Sequence, residues 1–86
     1  MYDILFSPTF LRIVKKLKKK NEQQYDMIVN KTQEICINPH RYKNLKYPLN
    51  NLKRVHIDEH FVLLFSVDEA SKTVTLVSFK HHDFAY

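Results

Sequence analysis

The chain has 86 residues, enough for one domain over 1–86 and too few for a second core. With 44% hydrophobic and 27% charged residues it has the apolar material to fold, so disorder is disfavoured. Fourteen Lys and Arg against nine Asp and Glu leave +5 at neutral pH, a balance that favours nucleic acid, ribosome, acidic protein or anionic membrane as partner.

Missing signals remove several function classes. No apolar run approaches the roughly 18 residues of a membrane span. Residues 1–10 carry no basic region ahead of their short apolar stretch, so no signal peptide is read and a cytoplasmic protein is expected. Cys36 stands alone, which excludes an intramolecular disulfide and a Cys-based zinc site. Pro39 interrupts the helix that would align Cys36 with His40, and no His-Glu-x-x-His occurs, so neither a metal nor another cofactor is expected. Glycine is absent, which rules out P-loops, dinucleotide fingerprints and glycine nucleophile elbows.

Residues 2–6 alternate Tyr2, Ile4, Phe6 against Asp3 and Leu5, the pattern of a short strand. Ser7-Pro8 predicts a helix start, with Ser as N-cap and Pro at the first helical position. Phe10, Ile13, Val14 and Leu17 then form an apolar stripe, while Arg12, Lys15, Lys16, Lys18, Lys19 and Lys20 cover the other face. Asn21 ends this helix or caps the next, which runs over 22–37 with Tyr25, Ile28, Val29, Thr32, Ile35 and Cys36 on one face. Asn38-Pro39 stops it.

Residues 40–51 are irregular and basic, with Arg41, Lys43 and Lys46 among turn-forming residues. Strands follow at 52–57, 61–67 and 73–79, the middle one apolar on both faces as a central strand is. The order β-α-α-β-β-β predicts an α+β fold, with a helical hairpin packed on one face of an antiparallel sheet.

Five histidines are the chemistry-bearing residues. Val55 and Ile57 take the core side of their strand, so Arg54 and His56 face the surface the helices leave open. His60 begins the next strand, and His81-His82-Asp83-Phe84-Ala85-Tyr86 follows the last one. A meander brings those strand ends towards one patch of imidazoles, guanidinium, carboxylate and phenol. Such groups suit metal-free RNA cleavage: a base takes the 2′-hydroxyl proton, cations hold charge on phosphorus, and an acid protonates the leaving 5′-oxygen. Tyr47, Phe84 and Tyr86 are aromatics able to stack on a base. Each histidine alone reads as an ordinary surface residue; the adjacent His81 and His82 point to opposite faces, so one of them reaches the patch. The lysine run is a solvated helix face or an RNA-docking one, and Tyr25 and Cys36 read as core.

The element order, the segment from Arg54-Val55-His56 through His60-Phe61-Val62 to Phe65, and the ending Phe79-Lys80-His81-His82-Asp83-Phe84-Ala85-Tyr86 resemble the RelE/ParE superfamily of toxins, RelE-type members with YafQ and YoeB branches above all. The resemblance covers essentially the whole chain. It implies a ribosome-dependent mRNA endonuclease that cuts messages in the decoding site and is silenced by an acidic antitoxin. It implies that His82 takes the place of the C-terminal catalytic histidine, Tyr86 of the terminal aromatic, and His56 of the histidine on the preceding strand. His60 falls where the YafQ-like branch has an acidic residue.

One departure concerns the central strand, where Val62 replaces an arginine found in many RelE proteins. Phosphate-stabilising charge then falls to Arg54, Arg41 or Lys43. On this reading His56 and His82 divide the base and acid roles, in either order, and Arg54 stabilises the phosphorane. Lys15, Lys16, Lys18, Lys19, Lys20, Arg41, Lys43 and Lys46 dock on the RNA of a 70S-type ribosome carrying mRNA. The partners are ribosome, mRNA and antitoxin, with no membrane, and a monomeric free toxin is compatible. Two alternatives keep the fold: a ParE-like inhibitor that binds DNA gyrase without catalysis, and a disarmed antitoxin-binding relative, for which Val62 argues.

Overall fold

The computed structural model describes residues 1–84. Its elements are β1 (Asp3–Phe6), α1 (Pro8–Lys20), α2 (Glu22–Ile37), a 3-10 turn (Pro39–Arg41), β2 (Lys53–Ile57), β3 (Phe61–Asp68), β4 (Thr73–His81) and a second 3-10 turn (His82–Phe84). No described helix is long and apolar enough to cross a membrane.

Local chemistry sets the helix limits. Ser7 has extended backbone, and its Oγ accepts the Phe10 N–H at 3.0 Å, with Pro8 in the first turn. Asn21 closes one helix and opens the next. Its N–H donates to the Leu17 carbonyl at 2.7 Å, and its Oδ1 accepts the Gln24 N–H at 3.0 Å. Lys18, Lys19 and Lys20 fill the last turn of α1, where positive charge suits the helix dipole.

The sheet order is β1-β4-β3-β2, and both helices lie on one face. Strands β2, β3 and β4 form the expected antiparallel meander. β1 joins β4 in parallel, Ile4 opposite Val74, which makes the sheet mixed rather than wholly antiparallel. The physical reason is connectivity: the helical hairpin and the meander together provide the long crossover a parallel neighbour needs.

Phe10, Ile28, Ile35, Ile57, Leu63, Phe65, Val74, Leu76 and Phe79 form the core between helices and sheet. On the other face Val62 and Leu64 are covered by Leu45 and Leu52 from the 40–52 segment. That segment is pinned: Leu45 N–H bonds the Leu52 carbonyl at 2.9 Å, and Lys53 Nζ bonds the Tyr42 carbonyl and Asn44 Oδ1.

A bulge interrupts β4. Leu64 faces Ser78 and Phe65 faces Leu76, leaving Val77 without an opposite residue. The Val77 carbonyl instead accepts the Ser7 hydroxyl at 2.6 Å. The extra residue reverses the alternation, so Leu76 and Phe79 both enter the helix-side core. Without glycine, the left-handed turn positions fall to Asp58 (φ 60°) and Lys72 (φ 53°). Asp58 Oδ1 accepts the Glu59 N–H at 2.8 Å, a local bond that suits this conformation.

Of the residues assigned to the face of α2, Ile28, Ile35 and Cys36 are buried, whereas Val29 is exposed. Gln24 takes a buried place instead. Burial pushes the Cys36 thiol pKa up, which makes it a packing residue rather than a nucleophile.

Candidate functional site

Strand register builds the site. Arg54 lies opposite Leu64, and His56 opposite Val62. On the far side of β3, Leu64 faces Ser78 and Val62 faces Lys80. Directly opposed residues share a face, so Arg54, His56 and Lys80 stand around the buried Val62 and Leu64 on the face away from the helices. Lys80 lies two strands from His56, about 10 Å between backbones at normal strand spacing. Plain alternation from Val74 and Leu76 assigns Lys80 to the helix side; the bulge at Val77 moves it across. The sequence signal was Phe79, an apolar residue where alternation expects a polar one.

His82 opens the 3-10 turn after β4. Its N–H donates to the His60 carbonyl at 2.6 Å, docking the turn on the β2–β3 hairpin. Its ring stacks with His56, centroids 5.8 Å apart and planes inclined by 27°. His81, opposite Phe61 in the ladder, meets that ring edge-on and lies parallel to His60 at 6.1 Å. The four imidazoles therefore form two pairs, His56 with His82 and His60 with His81.

Asp83 sits beside both pairs. Its carboxylate is 3.6 Å from His82 Nδ1 and 3.7 Å from His81 Nδ1, electrostatic contacts longer than hydrogen bonds. Its N–H donates to His81 Nδ1 at 3.2 Å. Glu59 approaches His60 Nε2 at 3.8 Å. Tyr86, expected as the terminal aromatic, lies outside the described residues. Among the described residues, no three His, Cys, Asp or Glu side chains converge as a metal ligand set.

The basic residues divide between two surfaces. Lys15, Lys16, Lys18, Lys19 and Lys20 are exposed on α1, in the helix layer. Lys43 and Lys46 line a groove of about 760 Å³ with Tyr47 and Arg54, on the histidine side of the sheet. Arg41 stacks over the Tyr42 ring at 5.4 Å.

A further polar cluster joins three distant segments and was invisible to spacing arguments. The Tyr2 hydroxyl donates to the Glu69 carboxylate at 2.9 Å, and His40 Nε2 meets the same carboxylate at 2.6 Å. Lys72 Nζ also bonds Glu69. Bonds from Lys72, Tyr2 and His40, in that order of effect, lower the Glu69 carboxyl pKa to about 2.

Known proteins share this arrangement of elements. Residues 4–86 match the family model of the ParE toxin of type II toxin-antitoxin systems, parDE. A Methanocaldococcus jannaschii protein named as a candidate toxin, RelE4, is 51% identical over 86 residues, covering 100% of this chain and 92% of its own. A YoeB/ParE toxin from Agrobacterium tumefaciens superposes with a TM-score of 0.84 at 8% identity, over 93% of this chain and 98% of that one. The toxin-antitoxin complex RelBE2 from Mycobacterium tuberculosis contains a chain matched with a TM-score of 0.80 at 22% identity, over 93% and 96%. A family match over nearly the full length, a half-identical relative and this shared fold place the chain in the RelE/ParE superfamily, as a toxin of a type II toxin-antitoxin system.

Proposed function

We propose that this toxin is a metal-independent endoribonuclease that cleaves mRNA on the ribosome. The carrying observation is the stacked His56–His82 pair on the helix-free face, with Arg54 and Lys80 on that same face. Centroids 5.8 Å apart allow one imidazole to reach a 2′-hydroxyl while the other reaches the 5′-oxygen of the same phosphodiester. One ring removes the 2′-hydroxyl proton, and the 2′-oxygen attacks phosphorus. The other ring protonates the leaving 5′-oxygen, so the products are a 2′,3′-cyclic phosphate and a free 5′-hydroxyl. Arg54 and Lys80 offset the charge that grows on the phosphoryl oxygens, the task a Val62 side chain cannot perform. Asp83 orients His82 through Nδ1. His60, paired with His81, supports the hairpin on which His82 docks, and Tyr86 is assigned to positioning the scissile nucleotide.

The partner that silences it is an acidic antitoxin. Toxins of the same fold occur in complex with antitoxins, RelBE2 of Mycobacterium tuberculosis among them. An apolar groove lined by Phe6, Leu11, Val14, Val29 and neighbours, with Lys18 over its Tyr25 ring, suits a partner segment with apolar anchors and acidic flanks. The alternative of a gyrase-binding inhibitor is favoured by one observation, the ParE family match. Clustered imidazoles favour the nuclease, because inhibition by binding needs no proton transfer.

Ribosome-programmed mRNA cleavage read by primer extension tests the reading. His56→Ala and His82→Ala are each expected to lower the cleavage rate by about 10²–10⁴-fold while circular dichroism shows an intact fold. Wild-type cleavage by both variants would sink the site. Absence of any cut together with growth arrest and inhibited supercoiling would establish the gyrase inhibitor instead.

A further inference from the structure

We infer that the groove between the 43–49 loop and β2 is the subsite for the nucleotide next to the scissile phosphate, with Tyr47 as its stacking platform. This inference rests on the endoribonuclease reading and adds the place where the RNA strand lies. Tyr47 is 88% exposed, an aromatic ring held almost wholly in water. Three cations, Lys43, Lys46 and Arg54, line the same groove. A ring open to solvent beside positive charge is what binds single-stranded nucleic acid, base on aromatic and phosphate on cation.

The wall is built before any ligand arrives. Leu45 is anchored in the small core with Val62 and Leu64. Backbone bonds from Leu45 to Leu52, Leu49 to Lys46 and Leu52 to Leu49 fix the loop, and Asn44 Nδ2 bonds the Asn50 carbonyl. Little ordering cost remains for binding. The groove is also continuous with the reaction centre. Arg54 lines it, and His56 follows two residues later on the same strand face, about 7 Å further on. That distance matches one extended nucleotide, so a strand whose phosphate rests on Arg54 at the edge of the groove brings its next phosphate to the histidine pair.

The test uses a short 2′-O-methyl RNA, which cannot be cut, carrying 2-aminopurine as the reporter base. Wild type should bind and quench the reporter by stacking. Tyr47→Ala should weaken binding about tenfold and abolish the quench, and Tyr47→Phe should keep both. Lys43→Ala and Lys46→Ala should each weaken binding and reduce its salt slope by roughly one. On the ribosome, Tyr47→Ala should raise KM, whereas His56→Ala should lower kcat and leave oligonucleotide binding intact. Unchanged binding and KM in Tyr47→Ala, beside an inactive His56→Ala, would overturn the groove alone. Full cleavage by His56→Ala with Tyr47-dependent binding would overturn the catalytic reading alone. Absence of oligonucleotide binding by the wild type, or Tyr47-dependent binding of an acidic peptide only, also overturns the groove.

Discussion

Glu69 is half exposed, yet it collects Lys72, Tyr2 and His40 around one carboxylate. Its carboxyl is held at about 2 against 4.5 for an unpaired glutamate. Because the folded-state value is the lower one, the native state gains from ionised Glu69 in full above pH 4.5. That gain disappears as pH falls from 4.5 towards 2. Acid unfolding should therefore steepen in this window for the wild type and flatten in Glu69→Gln. High salt should narrow the difference, since the cluster is open to solvent. Superimposable acid-unfolding curves for the two proteins would remove the role assigned here. The cluster also ties the start of β1 and the Pro39–Arg41 turn to the β3–β4 hairpin, so Tyr2→Phe should loosen the edge of the sheet, seen as faster amide exchange in β1.

At the scale of elements, two short polar side chains set the frame. Ser7 caps α1 and also satisfies the carbonyl left over by the bulge at Val77. Ser7→Ala loses both roles and should cost about 1–3 kcal/mol in urea unfolding. Asn21→Ala, which loses one side-chain cap, should cost about 1 kcal/mol. An Asn21→Ala loss exceeding that of Ser7→Ala would contradict the double role of Ser7. These caps were legible because they act over three or four residues, and Ser7-Pro8 and Asn38-Pro39 mark the helix limits in the sequence itself. The β2–β3–β4 meander was legible for the same reason, as short turns leave little choice of partner. The parallel placement of β1 was not, because nothing local records which edge a distant strand joins. The Val77 bulge escaped as well, and with it Lys80, since its determinant is the fit of Phe79 and Leu76 to the helices. In the site, Arg54 and His56 followed from strand parity alone. The pairing of His82 with His56, and of His81 with His60, depends on how the final turn docks on a hairpin formed 20 residues earlier.

The whole molecule divides its positive charge between two sides of one sheet. The α1 lysines crown the helix layer, and Lys43, Lys46, Arg54 and Lys80 surround the histidine face. On the proposed reading a substrate strand occupies one side only, which leaves the α1 charges to a second polyanion, ribosomal RNA. Contacts of this kind act by counterion release, so log affinity falls linearly with log salt, by roughly 0.7–0.9 per phosphate contacted. Replacing Lys15 and Lys19 together by alanine should lower the salt slope of ribosome binding by roughly 1.5. It should weaken binding several-fold at 100 mM salt while leaving kcat on saturating ribosomes unchanged. Filter binding between 50 and 200 mM potassium chloride measures the slope, and single-turnover cleavage measures the chemistry. A fall in kcat with an unaltered slope would mean that the helix layer holds the reaction geometry rather than the ribosome. Weaker oligonucleotide binding in Lys43→Ala, against unchanged oligonucleotide binding in the α1 variant, is what two separate basic faces require.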